Sequence, residues 1–308
     1  MILTNITSLP TELPQSIRCI ANIVRLKTVI YEIHTYANDA SKLLEVGKLY
    51  FDDYIRPFRA NKCRTPTPSS RQSRPSFGRL ADMISATLVE APQSHSDAKK
   101  NAMVRDGYRC VVTAENRELT ETIELDLEAR VIPTKCGHIF PQSMNSSIAP
   151  SSGKIYAAAV RETVNRFGHK TLLPTELNGS GIHHLQNVMT LEIDFHVYLD
   201  ELAIWFATTN EKNKYKLKGA CDIMLRNYPN YVTFATPDPI KLPVPSPTYL
   251  AIHVACTKIA HFSGATEYID KLYRDLENST ALDTNGASAD MLEHALLQLR
   301  ASGYKVTA

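Results

Sequence analysis

Two short stretches of the sequence constrain the fold more than any other feature. The first, CGHIFP at residues 136–141, is an apolar segment that carries His138 at its exit. The second, residues 187–200, begins with Asn187 and continues with four residues typical of a strand, then a turn, and then an amphipathic helix opened by His196. The pattern predicts a histidine on a strand, an asparagine in a hairpin and a histidine on a helix, in that order.

This order of residues suits the hydrolysis of a phosphodiester bond around one metal ion. One imidazole takes a proton from the attacking water, the amide braces the hairpin, and the second imidazole helps to hold a divalent cation. Asp200 lies four residues after His196 on the predicted helix, so both side chains project from one face.

A resemblance to a known family rests on these stretches and on their neighbours. Residues 105–113 (RDGYRCVVT), residues 137–141, and Asn187 followed by His196 and Asp200 look like the HNH (ββα-metal) nuclease domain. The likeness is closest to the version found in fungal HNH-domain proteins and covers roughly residues 43–270. Flanking pieces that resemble the same group are SRPSF at 73–77, LAIWF at 202–206 and HFSGA at 261–265.

The resemblance implies both a fold and an activity. The fold is α+β, with a central ββα-metal HNH core that contains a helical insert and is flanked by N- and C-terminal helices. The activity is that of a metal-dependent endonuclease hydrolysing phosphodiester bonds in DNA. The implied cofactor is a divalent metal, with Mg²⁺ favoured and Zn²⁺ or Mn²⁺ as alternatives.

Each motif residue has an expected role and a plainer alternative. His138 is the expected general base, because a neutral imidazole accepts a proton near neutral pH; the alternative is a buried structural histidine. His196 is the expected metal ligand, and Asp200 either orients it, binds the metal directly, or is a surface acid at a helix end. The resemblance places Asn187 among the catalytic residues as the hairpin brace, and among the possible metal contacts.

Gly137 departs from the family pattern. In many HNH nucleases the residue before the base is an acidic or imidazole metal ligand, and a glycine removes that donor. The alternatives are a repurposed fold that acts as a small-molecule acid–base enzyme, or a binding scaffold without chemistry. A third option is a protein-interaction module built on the terminal helices. The net charge of +2 is nearly neutral and argues neither for nor against DNA as a partner.

Composition changes along the chain suggest four segments. They are N-terminal helices at 1–56, a basic Pro/Ser-rich linker at 57–79, an HNH-like domain at 80–247, and C-terminal helices at 248–308 that pack on the rest. Residues 56–79 carry seven basic residues and no acid, which fits either a phosphate-tracking arm or a solvated connector. These basic residues are Arg56, Arg59, Lys62, Arg64, Arg71, Arg74 and Arg79.

Periodicity predicts further elements within these segments. The predicted helices are 77–90, 96–105, 155–167, 249–261, 265–278 and 291–301, besides two within 15–56. The predicted strands are 109–113, 202–208, 215–218 and 231–234, with a surface hairpin over 114–128.

Other reactive residues are more ambiguous. Cys110 and Cys136 are either a weak zinc pair or buried reduced thiols, and the latter is the better interpretation because the six cysteines include no CxxC pair. His183 and His184 either contact phosphate or metal, or cap a turn. A second basic cluster suits phosphate contact or solvation; its members are Lys99, Lys100, Arg105 and Arg109.

The sequence also predicts the cellular location of the protein. No apolar run approaches the ~20 residues needed to span a bilayer, so no membrane partner is expected. The first 14 residues lack a basic start followed by an apolar core, so no secretory signal is expected. We therefore expect an intracellular protein, cytoplasmic or nuclear. The pattern leaves the oligomeric state open.

Overall fold

A computed structural model describes residues 27–59, 92, 94–113, 132–141, 176–278, 288, 292 and 295–296. The chain divides into two compact units. The first unit contains Met1–Asn61, Pro141–Pro174 and Ala251–Ala308, and the second contains Lys62–Phe140 and Thr175–Leu250. The described part combines helices with small antiparallel sheets, as the α+β prediction expects. Within it, no helix is both long and apolar enough to cross a membrane.

The described elements of the first unit are helical. They are α1 (Lys27–Thr35), α2 (Ala40–Tyr50), a π-helical turn (Phe51–Ile55), α3 (Arg56–Arg59), most of α6 (Pro247–Phe262) and α7 (Ala265–Asn278). Asp39 begins α2, because its carboxylate accepts a hydrogen bond from the backbone N of Lys42.

Hydrogen bonds join α3 and its preceding turn to α6 and α7. The hydroxyl of Tyr54 donates to the carbonyl of Ile252 at 3.0 Å. Arg59 donates to the Thr266 carbonyl at 2.9 Å and to Asp270 Oδ1 at 2.6 Å. Since Arg59 is 4% exposed, this guanidinium is a structural group and not part of a solvated basic arm.

Arg56 also departs from the basic-arm interpretation. It is buried, and its Nη1 lies 2.9 Å from Asp52 Oδ1, one helical turn earlier. The helix continues through Arg59, so the first three residues assigned to the linker, 57–59, are helical. The remaining linker residues, 60–79, lie outside the described part.

The described part of the second unit contains two small antiparallel sheets. Strands β1 (Thr134–His138) and β2 (Val188–Glu192) pair with His138 opposite Val188 and Thr134 opposite Glu192. Helix α5 (Ile193–Asp200) follows β2 directly, so it begins three residues before His196 and without the predicted turn. Helix α4 (His95–Arg105) packs beside this pair.

The second sheet has the order β3–β4–β5, with β3 at Ile204–Thr208, β4 at Lys214–Gly219 and β5 at Tyr231–Thr233. Alternate residues of each strand point to the buried face of this sheet. Several of these buried residues are aromatic. Phe206 lies 5.6 Å from Phe195 of α5 and 5.4 Å from Phe234, measured between ring centroids. This aromatic cluster attaches α5 to the sheet that follows it.

Most described elements match the predicted ones to within two or three residues. The predicted helices at 96–105, 249–261 and 265–278 are confirmed, as are the predicted strands at 202–208, 215–218 and 231–234. The strand predicted at 109–113 is wrong, because the backbone bends at Gly107 and Tyr108, both with positive φ, and residues 111–113 form a turn. The predictions at 77–90, 114–128 and 155–167, and most of 291–301, lie outside the described residues.

Candidate functional site

The candidate site lies in the second unit, where β1, α4 and α5 meet. Strand β1 presents alternate residues to opposite faces of the two-stranded sheet. Gly137 faces α5, since a Cβ at this position would contact the ring of His196. Cys136 faces the other way, toward α4, and belongs to a buried cluster with Ala98 of that helix. His138 ends the strand, near enough to His95 of α4 to stack on it and to His196 of α5 for a charge there to lower its pKa.

Gly137 allows the His196 imidazole to lie directly against β1. A Cβ at residue 137 would come 2.8 Å from Cδ2 of His196 and 2.8 Å from Cδ1 of Leu191. Its distance to His196 Nε2 would be 3.4 Å. Any larger residue here would displace the histidine ring. The glycine therefore permits the close approach of α5 to β1.

Asp200 lies behind the same imidazole. Its Oδ2 is 3.6 Å from Nδ1 of His196, one helical turn away, and the two side chains are 16% and 13% exposed. Nδ1 therefore faces the carboxylate, while Nε2 faces β1 at Gly137. A carboxylate behind one nitrogen of an imidazole is a common means of orienting the other nitrogen toward a metal.

Asn187 connects the ends of two segments that carry histidines. Its Oδ1 accepts a hydrogen bond from the backbone N of Phe140 at 2.8 Å, and its Nδ2 donates to the Phe140 carbonyl at 3.1 Å. Nδ2 also donates to the Ile182 carbonyl at 2.8 Å. The side chain is fully buried, and all three bonds go to the backbone.

Two further histidines surround His138. Its Nε2 lies 3.2 Å from Nδ1 of His183, which ends the 3-10 helix Gly179–His183 and is 5% exposed. The ring of His95, in the first turn of α4, stacks on His138 with centroids 5.3 Å apart. We refer to His95, His138, His183 and His196 as the histidine cluster.

Sequence reasoning missed His95 and left His183 ambiguous. Ser94 caps α4 by accepting a hydrogen bond from the backbone N of Asp97, and this Ser-x-x-Asp spacing places His95 at a helix start. Nothing in the sequence indicates that this helix start meets β1. His184, the neighbour of His183, is exposed.

Burial keeps the histidine cluster neutral. It lowers the pKa of His138 well below 6.5, and the nearby imidazoles of His95, His183 and His196 lower it further when charged. Burial, followed by the charge of Lys135, lowers the pKa of His196 to about 4. A neutral imidazole is the form that accepts a proton or binds a metal.

Asp200 responds to burial in the opposite direction. Burial raises the pKa of its carboxyl well above 3.8, and Lys135 opposes this rise. A carboxyl in this environment is ionised more readily when a cation lies nearby.

Arg105 is a structural residue and not part of a phosphate-binding cluster. Its side chain is fully buried and forms a two-pronged ion pair with Asp106, with Nε 2.7 Å from Oδ1 and Nη2 3.0 Å from Oδ2. It also donates to the carbonyls of Leu185 and Val188. Asp106 Oδ2 in turn accepts from the backbone N of Thr190. These bonds fix the end of α4 against the start of β2.

The cysteines near the site are free thiols. Cys110 and Cys136 are both buried and form no disulfide. Cys110 Sγ accepts a hydrogen bond from the backbone N of Glu192 at 3.3 Å. Burial raises the pKa of Cys136 to about 12, which holds it as a thiol at neutral pH. The interpretation as buried reduced cysteine agrees with this environment.

The described residues provide few metal donors. Among them, no group of three His, Cys, Asp or Glu side chains is arranged to hold a metal ion. The pair His196–Asp200 is one candidate donor set beside β1, with Asp200 behind the imidazole. Its chemistry, an imidazole supported by a carboxylate, fits one cation that takes its other ligands from water and phosphate.

Comparison with known proteins agrees with the motif. Residues 110–207 match a family profile described as HNH endonuclease. The match covers less than half of the chain and includes His138, Asn187, His196 and Asp200, while His95 lies outside it. It supports an HNH nuclease domain within the chain. Searches of curated proteins and of solved structures returned no match.

Proposed function

We propose that the second unit is a metal-dependent HNH endonuclease that hydrolyses phosphodiester bonds in DNA. The observation that carries the proposal is the placement of His138 and His196 beside Gly137. The β1–β2 pair, followed directly by α5, puts one imidazole at the end of a strand and the other against the same strand from a helix. The family match over this region supports the same activity.

His138 is the proposed general base. The low pKa that burial imposes keeps its imidazole neutral at physiological pH, which is the form that a general base needs, although it also lowers the basicity of the ring. Asn187 keeps the base in place by bonding the backbone of Phe140, two residues further on. Because its amide is bonded to the backbone, we assign Asn187 to bracing and leave it out of the metal-holding set.

His196 is the proposed holder of the metal, through the Nε2 that faces β1. Asp200 orients the ring from the other side, so its proposed role is positioning and not direct ligation. A divalent cation bound there, Mg²⁺ by preference and Zn²⁺ or Mn²⁺ as alternatives, would supply positive charge to the phosphate and the leaving oxygen. Many HNH nucleases carry a metal ligand at the position of Gly137. Here the glycine instead allows the ring of His196 to lie close to β1.

The second sheet provides a surface suited to a nucleic acid. Strands β3, β4 and β5 contain no acidic residue. Their outward face carries Lys216, Lys218 and Tyr231, all exposed, with Trp205 opposite Lys218 in the strand register. Lysines bind phosphates and aromatic rings stack on bases, so the partner that fits this face is DNA.

Supercoiled plasmid is the direct substrate for a test of the proposed activity. Purified full-length protein is incubated with Mg²⁺, Mn²⁺ or Zn²⁺, or with EDTA. Nicking that requires a divalent metal and stops with EDTA supports the proposal. Absence of nicking with every metal, from protein that circular dichroism shows to be folded, contradicts it.

A non-nuclease remains the second candidate, and one observation favours it. No three donor side chains in the described part of the chain are arranged around a metal, and Gly137 provides none. The fold would then act as a binding scaffold or as a small-molecule acid–base enzyme that uses His138. Calorimetric titration with Mg²⁺ and Mn²⁺ separates the candidates, because only the nuclease requires a metal at His196.

A further inference from the structure

We propose that His183 is a positioning residue that fixes the tautomer of His138, so that His138 presents Nδ1 as the basic nitrogen. His183 does not contact the substrate in this proposal; it acts through the imidazole of His138. The catalytic consequence rests on the proposed nuclease function, but the tautomer itself is a property of the resting protein.

The contact between the two rings permits only two arrangements. Nε2 of His138 and Nδ1 of His183 are 3.2 Å apart, and the rings meet edge to face with centroids 5.4 Å apart. When both rings are neutral, one nitrogen must donate and the other must accept. Either both rings carry their proton on Nε2, or both carry it on Nδ1.

Intrinsic chemistry favours the first arrangement, since the Nε2–H form is the more populated tautomer of neutral histidine. In that arrangement His138 donates Nε2–H to His183 and its Nδ1 keeps a lone pair for a proton. In the second arrangement Nε2 of His138 is occupied as an acceptor and its Nδ1 already carries a proton. Only the first arrangement provides a base.

The surrounding structure holds the two rings in register. Asn187 Nδ2 donates to the carbonyl of Ile182, the residue before His183, and the same amide bonds Phe140, two residues after His138. One buried side chain thereby fixes the separation of both segments. His183 is itself 5% exposed, so water does not readily replace it as the acceptor.

The proton balance of the reaction is simple. His138 Nδ1 takes one proton from the attacking water and becomes imidazolium, while Nε2–H remains directed at His183. His183 stays neutral throughout, and no proton passes to it. The hydrogen bond becomes charge-assisted when His138 is protonated, which stabilises the base in the form it reaches during the reaction.

Two substitutions of similar size separate the acceptor from the packing. Asparagine at residue 183 places an oxygen near the position of Nδ1, and leucine places a methyl group there. His183→Leu therefore removes the acceptor, whereas His183→Asn keeps it. A role in packing alone would affect both variants alike.

Nitrogen-15 NMR of the histidine rings in metal-free wild-type protein, without substrate, reads the tautomer directly. We expect His138 with its proton wholly on Nε2 in the wild type, a smaller Nε2–H fraction that returns to the ratio of free neutral histidine in His183→Leu, and the wild-type pattern in His183→Asn. A wild-type His138 protonated on Nδ1, or an unchanged tautomer in His183→Leu, overturns the proposal. If His183→Leu does not fold, the comparison of the wild type with His183→Asn remains, and a wild-type His138 protonated on Nδ1 still overturns the proposal.

Nicking kinetics give the catalytic readout. We expect His183→Leu to lower kcat by about 10- to 100-fold with little change in KM, as for other residues that orient a functional histidine, and His183→Asn to restore most of it. Equal losses in the two variants overturn the positioning role. Wild-type protein that does not nick DNA refutes the nuclease alone, because the NMR result stands independently.

Discussion

The side chain of Asn187 and the backbone of Phe140 are joined by two hydrogen bonds, one in each direction. Phe140 N donates to Oδ1 at 2.8 Å, and Nδ2 donates to Phe140 O at 3.1 Å. Beside these two bonds, the backbone N of Ile139 donates to the carbonyl of Asn187. The side chain of Asn187 thus continues the hydrogen bonding of the β1–β2 pair beyond its last backbone bond. It fixes the chain immediately after His138, where the proposed base needs a defined position.

Asn187→Ala is expected to destabilise the protein and to abolish nicking. The substitution leaves buried backbone groups of Phe140 and Ile182 without their partner, which costs about 3 kcal/mol of the free energy of unfolding. Chemical denaturation measures the loss. Gln186→Ala, which removes a similar amide from the exposed neighbouring position, should change stability by less than about 0.5 kcal/mol. Equal stability of the two variants would contradict the bracing role.

Gly137→Ala is expected to lower activity by displacing His196. The new methyl group would meet the histidine ring and Leu191 Cδ1 at 2.8 Å, so the ring must shift, at a cost of about 1–3 kcal/mol. Nicking rate and denaturation midpoint both report the effect. Gly47→Ala in α2, where a Cβ meets nothing within 4 Å, is the matched control and should be neutral or stabilising. Full activity in Gly137→Ala would contradict the close approach.

The sequence predicts the local elements and the motif residues well, because both depend on short-range patterns. The apolar run at β1 and the spacing of Asn187, His196 and Asp200 are visible without a structure. The roles of Gly137 and Asn187 are predicted in part, because both residues belong to the two motif stretches. The glycine appears in the sequence as a missing donor, and only the geometry relates it to the ring of His196.

Long-range contacts account for what the sequence does not predict. His95 reaches His138 because α4 packs on β1, and nothing in the sequence specifies this pairing. Arg105 resembles a surface charge in the sequence, yet its partners at Leu185 and Val188 lie about 80 residues away and make it fully buried. Asp200 is ambiguous in the sequence for a different reason: it lies only four residues from His196, but its role depends on which imidazole nitrogen it faces.

Lys216→Ala combined with Lys218→Ala is expected to weaken DNA binding without changing the fold. Each lysine that contacts a phosphate contributes about one unit to the slope of log affinity against log salt, so the slope should decrease by about 2. Fluorescence anisotropy with a labelled oligonucleotide, in EDTA to prevent cleavage, measures it. Lys42→Ala combined with Lys48→Ala removes equal charge from α2 and serves as the control. An identical slope in both double variants would contradict a role for the β3–β5 face.

The histidine cluster is expected to make the protein less stable as pH falls. Burial lowers the pKa of His138 well below 6.5 and that of His196 to about 4, and the pKa values of His95 and His183 are lowered as well. Between pH 6.5 and pH 4 the unfolded chain therefore binds more protons than the folded one, so the free energy of unfolding falls as the pH is lowered. Asp200, with a raised pKa, acts in the opposite direction but is a single group.

Thermal unfolding in metal-free buffer tests this dependence. The melting temperature should fall by about 5 °C or more between neutral pH and about pH 5. His196→Gln should make the dependence shallower, whereas His34→Gln, which replaces an exposed histidine of α1, should leave it unchanged. A melting temperature that rises as the pH is lowered would mean that the cluster is not held neutral by burial.

The most direct test of the proposed function is the rate of plasmid nicking by His138→Ala beside the wild type and His34→Ala, with Mg²⁺ and with EDTA. We expect metal-dependent nicking by the wild type and by His34→Ala. His138→Ala should lose at least about 100-fold, the usual contribution of a general base, while its circular dichroism spectrum matches that of the wild type. A folded His138→Ala variant that nicks DNA at the wild-type rate would contradict the assignment of the base.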